Sequence, residues 1–559
     1  MTQRPAPTGL SPVFALCDAH VERAAARHPV YATYDGIPGY DDQPTDYSPA
    51  GHGARADLLR DTLRSLEGLP CETAADQLAA SVLTERLTTA LALHDAGELL
   101  RVMNPFGPLT EVRGSVDLLP TATVEDWQSV VARLGQAGQM LAGQRESLLA
   151  GLTGGPAVAA RQVRAAIEQT AVWAGMRGAP PAHLPLVATA PEQLRDRVEQ
   201  AATSAHAAYA ETSSWLAEVY LPQAAQVDGV GPERHALWSR EALGADVDPL
   251  EAYAWGWEEL RRIEDEMARE GDRVRPGATV PEAVALLDAS EALPTSQAYL
   301  GWLQERHDRA LADLDGVDFD IDPRLKVIEV RLAPPGSASA PYYTGPSEDL
   351  TRPGRTWWPT GERTSFTTWD DVTTVAHEGV PGHHLQLGAA KIAPLSRFSR
   401  NAFVSGHGEG WALYVERLAD ELGWFETPGQ RLGMLLGSAL RAARVVIDIG
   451  IHLRLPLPPA EAARHGERWT FDVALEVFRE RGRQPSHMAV SEITRYFGWP
   501  GQAPSYKLGE RAWLTARAET ERRLGASFDR KAWHTAALDL GPMGLDTLAE
   551  QLGAWTPAR

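Results

Sequence analysis

The stretch His377-Glu378-Gly379-Val380-Pro381-Gly382-His383-His384 gathers side chains suited to hydrolytic metal chemistry. An imidazole followed at once by a carboxylate on a helix can bind zinc through His377 and leave Glu378 as general base toward a zinc-bound water. The usual second ligand lies four residues after the first, one helical turn along the same face. Here that position is Pro381, and the next histidines are His383 and His384. Six residues along a regular α-helix rotate the side chain by about 240°, onto the wrong face. Pro381 removes an amide and clashes with the preceding turn, while Gly379 and Gly382 permit unusual backbone angles. The chemistry therefore requires an interrupted helix that returns His383 to His377, with His384 as the alternative.

The elements that must position this motif are mostly helical. Thr368-Trp369-Asp370-Asp371 has the spacing of a capping box and predicts a helix start, with Val372, Val375 and Ala376 leading into His377. Helical periodicity dominates from about Arg55 to Leu314, in segments such as Val124 to Leu152, Ala159 to Ala174 and Pro191 to Tyr220. Asp248-Pro249-Leu250-Glu251 and Thr279-Val280-Pro281-Glu282 read as helix starts. Leu325 to Leu332 alternates like a strand, followed by the loop-like Ala333-Pro334-Pro335-Gly336-Ser337 and a second short β-like piece, Arg355 to Pro359. The fold expected is mostly α, a large multi-helix body with a small antiparallel β insert beside the active-site helix. Residues 1–320 form an N-terminal helical region and 321–559 carry the metal site, in one continuous body around a cleft.

Composition narrows the partners. Lys and Arg number 53 against 74 Asp and Glu, a formal charge of −21, which disfavours nucleic acid and anionic membrane surfaces. The two cysteines, Cys17 and Cys71, cannot make a Cys-rich zinc site, so any metal falls to His and carboxylates. Met1 to Gly9 is not followed by an apolar signal-peptide core, and no apolar run approaches a membrane span. A cytoplasmic location is the expectation.

His-Glu-Gly-x-Pro-Gly-His followed by His-Leu-Gln resembles the signature of the DUF885 family of bacterial proteins, which is similar to the helical gluzincin peptidases. The resemblance extends to Glu409 through Glu416 and to Pro500-Gly501-Gln502-Ala503-Pro504-Ser505-Tyr506. It favours His383 over His384 as second ligand. In gluzincins the third ligand is a Glu on a following helix, which implies Glu409 here, with His407 and Glu416 as substitutes. On the helical wheel Trp411, Tyr414, Val415, Leu418 and Leu422 make one apolar stripe, and Glu409 and Glu416 share the opposite face. On an isolated helix that face would simply meet water.

A further feature is the apolar stretch from Leu435 to Leu453, in which Arg441, Arg444, Asp448 and His452 fall on one narrow stripe. Such a stripe either forms a salt-bridge ladder, Arg444 to Asp448 being i, i+4, or lines a cleft. From it Arg444 is taken as a substrate-binding candidate and His452 as a catalytic one. Tyr342, Tyr343, His487, Arg495 and Tyr506 are candidate donors to an oxyanion, with Tyr506 favoured by its family-like segment. Tyr343 and Trp357 are further substrate-binding candidates, and the strand around Thr356 to Trp358 could pair with an extended substrate. The function expected is zinc-dependent cleavage of amide bonds in short peptides, with His377, His383 and Glu409 on Zn²⁺ and Glu378 as base. The rivals are a zinc hydrolase of esters or non-peptide amides, and a metal-free binding protein.

Overall fold

The computed structural model describes residues 11–557 apart from 105–106, 291, 334–339, 348–349, 362 and 483–485, with the side chains of 486 and 487 also left out. The N-terminal nonapeptide, the Pro334–Ser337 loop and the His487 side chain named above lie outside the described residues. Among the described residues helices dominate throughout, broken by one three-stranded sheet.

Two large apolar cores, with three smaller clusters beside them, organise the described residues. The first is built by the helices Val124–Gly135, Ala137–Gly154, Ala160–Trp173 and Arg195–Trp215, around Trp127, Leu141, Val163 and Tyr209. The long apolar segment from Val124 is thus two helices, parted at Gln136. The second core carries everything that shapes the site. The helices around it are α1 (Pro249–Val274), α2 (Ser296–Leu314), α3 (Asp371–Glu378), α4 (His383–Ile392), α5 (Ser405–Glu421), α6 (Pro428–Leu453), α7 (Ser486–Gly498) and α8 (Ser505–Leu524), with α3 joined through a smaller cluster in which Val375 meets Tyr299, Leu303 and Trp358. Helices α1 and α2, which fall within residues 1–320, thus pack with the C-terminal elements.

The start signals at 248 and 279 act as read. Asp248 accepts from the amides of Leu250 and Glu251 at 2.9 and 3.3 Å, and Thr279 and Glu282 form a reciprocal capping box. Thr368 to Asp371 does not form one. Helix α3 begins at Asp371, its preceding residue makes no side-chain cap, and the Asp371 carboxylate instead accepts from the Tyr299 hydroxyl at 2.8 Å. A partner 72 residues away in sequence outcompeted the local backbone.

The sheet is mixed rather than antiparallel. Its order is β1 (Ile328–Leu332), β3 (Gly354–Trp358), β2 (Tyr342–Thr344), with β1 parallel and β2 antiparallel to β3. The chain lays β2 on the far side of β3, so β3 runs in the same direction as β1. Both sides of β3 are therefore paired, and it offers no free edge to a substrate backbone. The outer edge of β1 is also taken: the Gln304 amide on α2 bonds the Ile328 carbonyl and the Val330 N–H at 3.1 and 3.3 Å.

Helix α5 is enclosed on both faces. Its apolar side, with Trp411, Tyr414, Val415 and Leu418 fully buried, packs into the core. On α8 Gly509 meets Gly410 so closely that a side-chain carbon on either would collide with the other backbone. Its carboxylate-bearing side packs toward α3.

Candidate metal centre

Helix α3 stops at Glu378, and the chain crosses Gly379 to Gly382, with a cis Val380–Pro381 peptide, before α4 starts at His383. The interruption is held at both ends. The Gly379 amide donates to Val375 O at 3.0 Å, the His384 amide to Gly379 O at 3.1 Å, and the Trp411 indole to Pro381 O at 2.9 Å. A side chain at 379 would strike the His307 ring, and one at 382 would strike the carbonyl of His377. Glycine is required at both positions by close approach, and the bend returns His383 to His377.

The His377 and His383 rings lie edge to face with centroids 4.9 Å apart. A Glu409 oxygen stands 3.5 Å from His377 Nε2 and 3.7 Å from His383 Nε2. Among the described residues these three are the group whose donor atoms all lie within 4.8 Å of one another. Neighbouring ligands on a tetrahedral ion with bonds of about 2.0–2.2 Å stand roughly 3.3–3.6 Å apart, so the donor set fits zinc by type, number and spacing.

The groups behind the cluster settle its orientation. His377 Nδ1 donates to Glu416 at 2.7 Å, and the other Glu416 oxygen accepts from Thr373 Oγ1 at 2.6 Å. This leaves Nε2 toward Glu409 and His383, as in carboxylate–histidine–metal arrays. Glu416, 3% exposed, thus stands behind a ring nitrogen and outside the ligand set. His384 is committed elsewhere: Nε2 donates to Leu325 O at 2.8 Å, and Nδ1 accepts from the Tyr343 hydroxyl at 3.0 Å. Both its nitrogens are used. His407 faces Gln386 and packs on Trp513, away from the cluster.

The electrostatics are strongly perturbed. Burial opposes charge on His377, but the carboxylates of Glu409 and Glu416 outweigh it and raise the ring to about 10. Burial would raise Glu409 as well, yet bonds from His377 and His383 pull it far below the usual carboxylate range. Glu378, buried and outside the donor cluster, is raised chiefly by loss of water, with His377, His383 and Arg441 opposing. Tyr506 is raised by burial and by Glu409, so its hydroxyl keeps its proton, while Arg444, Arg495 and Arg441 all bear on it.

The remaining candidates divide. Arg444 lies with Cζ 4.7 Å over the Tyr506 ring and pairs with Glu492 at 2.9 Å. No Arg444–Asp448 ladder occurs among the described residues: Asp448 instead accepts from His235 Nε2 at 2.8 Å and from the Gly501 amide at 3.1 Å. It thereby anchors the Pro500–Gly501 turn that precedes Tyr506, where Gly501 has φ +75°. His452 is fully buried and bonded to Tyr496 O at 3.0 Å, packed against His235 as part of that anchor rather than beside Glu378. Tyr343 ties the sheet to α4 through His384, and Trp357 donates to Thr344 and stacks on Tyr342 within the sheet. Arg441 bears on Glu378, Glu416 and Tyr506 and was not singled out from the stripe by sequence. Its signal was its position one turn before Arg444 on an otherwise apolar helix.

A mostly helical body carrying a partly buried two-histidine, one-glutamate cluster is the class that fold and site define. The chain belongs to the DUF885 family, bacterial proteins of unknown function, whose model matches residues 29–552. Its fold is similar to that of a candidate lipoprotein from Colwellia psychrerythraea, with a TM-score of 0.82 and 21% identity over 97% of this chain and 98% of that one. It is also similar to one from Shewanella oneidensis, with a TM-score of 0.74 and 18% identity over 96% and 99%. No curated protein matches the chain. Among the described residues no helix is long and apolar enough to cross a membrane.

Proposed function

We propose that this protein is a zinc-dependent hydrolase of amide bonds in short peptides, built like the helical gluzincins. The observation that carries the reading is the convergence of His377, His383 and Glu409, with the Glu378 carboxylate adjacent in sequence and left out of the donor set. Zinc held there would supply Lewis acidity and lower the pKa of a bound water toward 7.

The residues then divide the work. Glu416 fixes the His377 tautomer through Nδ1. Glu378, with its carboxyl raised by burial, is suited to take a proton from the attacking water and pass it to the leaving amine. Tyr506, whose ionisation is opposed by burial and by Glu409, keeps its hydroxyl proton and is assigned as the donor to a developing oxyanion. The test is a panel of short peptides and acyl esters of matched size, given to tag-free protein with and without a zinc chelator. Chelator-sensitive cleavage of the peptides supports the reading. Cleavage of esters alone moves the reaction to ester hydrolysis, and no cleavage of either favours a binding protein.

A further inference from the structure

Beside the proposed metal centre the distribution of charge runs against that of the chain, whose formal charge is −21. Arg444 and Arg495 are each only 9% exposed, yet they share one carboxylate, Glu492, at 2.9 and 2.8 Å. The rest of their bonding is neutral. Arg444 Nε donates to the Tyr496 hydroxyl at 2.7 Å, that hydroxyl donates to Glu492 at 2.6 Å, and Arg495 donates to the Gln502 side-chain oxygen. Two buried guanidinium groups on one carboxylate leave a positive charge unmatched, which is costly unless something else answers it.

Arg441 adds a third cation on the same stripe of α6. Its guanidinium folds back over Gly437, where any side-chain carbon would stand 2.7 Å from Nη1. Its buried Nε has no hydrogen-bond partner, and it makes no ion pair among the described residues. Helix α6 packs against both α3, which carries Glu378, and α8, which carries Tyr506. Arg441 and one of the two guanidinium groups on Glu492 are thus left without a carboxylate of their own among the described residues. The group that would balance them is an anion brought by the ligand.

We propose that Arg441, backed by the Arg444–Glu492–Arg495 cluster under Tyr506, forms a carboxylate-recognising subsite beside the metal centre. The preferred substrate then carries a free carboxylate close to the scissile bond, and this deepens the hydrolase reading on which it rests. A guanidinium with an unused N–H is suited to such a group because its fork matches both oxygens. The carboxylate can be a peptide's C-terminus or an acidic side chain.

Three probes separate these: Ala-Ala-Ala, Ala-Ala-Ala-amide and Ala-Ala-Glu-amide. Each is titrated calorimetrically, with zinc present, into Glu378→Gln protein and into the Glu378→Gln/Arg441→Gln and Glu378→Gln/Arg441→Lys proteins. The free acid should bind on the order of 10-fold or more tighter than its amide, and Arg441→Gln should erase that ratio. Arg441→Lys, which keeps the charge without the fork, should retain part of it. It also serves as the test should the Gln protein fail to fold. Ala-Ala-Glu-amide binding like Ala-Ala-Ala-amide assigns the carboxylate to the C-terminus, binding like the free acid means that a side chain serves as well, and binding tighter than both other probes, themselves equal, assigns it to a side chain. Equal binding of all three probes overturns the proposal, as does a preference untouched by both Arg441 substitutions. Discrimination without cleavage by the wild type leaves the subsite standing and sinks the hydrolase reading. Cleavage of acid and amide at equal kcat/KM does the reverse.

Discussion

Zinc uptake should expel a proton from His377, and Glu416 sets how strongly. His377 Nδ1 lies 2.7 Å from Glu416 and Nε2 lies 3.5 Å from Glu409, and these carboxylates raise the ring to about 10 against the opposing effect of burial. At pH 7.5 the ring is therefore held mostly in its protonated form. A metal ligand must be the neutral imidazole, so each zinc displaces close to one proton, and apparent affinity rises about tenfold per pH unit between pH 7 and 9. Glu416→Gln keeps an acceptor of the same shape but removes the charge, so proton release at pH 7.5 should fall and the pH slope flatten. Calorimetric titration of zinc in two buffers of different ionisation enthalpy counts the protons. The difference between the two proteins isolates His377 from any other proton the metal releases. Stability follows the same linkage. The folded pKa of His377 is raised, so its ion pairs stabilise the metal-free fold fully below about pH 6.5, the unfolded value, and that contribution is lost as pH rises through about 10. Zinc uptake that releases no proton and does not vary between pH 7 and 9 would refute the reasoning.

The other substitutions act on single parts of the site. Glu378→Gln should lower kcat by on the order of 10²–10⁴-fold while zinc content by mass spectrometry stays near that of the wild type, since the base is outside the donor set. His383→Ala should strip the zinc. His384→Ala should keep it but lose roughly 1–3 kcal/mol of stability in denaturant titrations, because Leu325 O and the Tyr343 hydroxyl lose their partner. Gly382→Ala should weaken zinc binding without touching a ligand, because the added methyl runs into the His377 carbonyl and forces the bend open; unchanged affinity would count against the role given to the bend.

What the sequence disclosed is what local chemistry determines. Pro381 between two glycines announced a broken helix, and the caps at Asp248 and Thr279 were readable because their partners lie within three residues. Glu409 and Glu416 were legible as one face of α5, but the wheel alone sent that face to water. Only the packing of α3 against it turned one carboxylate toward the His377 Nε2 edge and the other toward Nδ1. The same limit explains the stripe on α6. Arg444 and Asp448 have ladder spacing, yet their partners come from Glu492 and His235, one of them 213 residues away. Strand β2 was missed because three residues carry too little periodicity, and the direction of β1 against β3 depends on a crossover that no alternating pattern encodes.

The central claim is that His377, His383 and Glu409 hold one zinc ion. The most direct measurement is the metal content of tag-free protein purified without chelators, beside Glu409→Ala prepared the same way. About one zinc per chain in the wild type, and a large loss in Glu409→Ala, is the predicted result. No zinc in the wild type after exposure to the metal, or an undiminished content in Glu409→Ala, would contradict it.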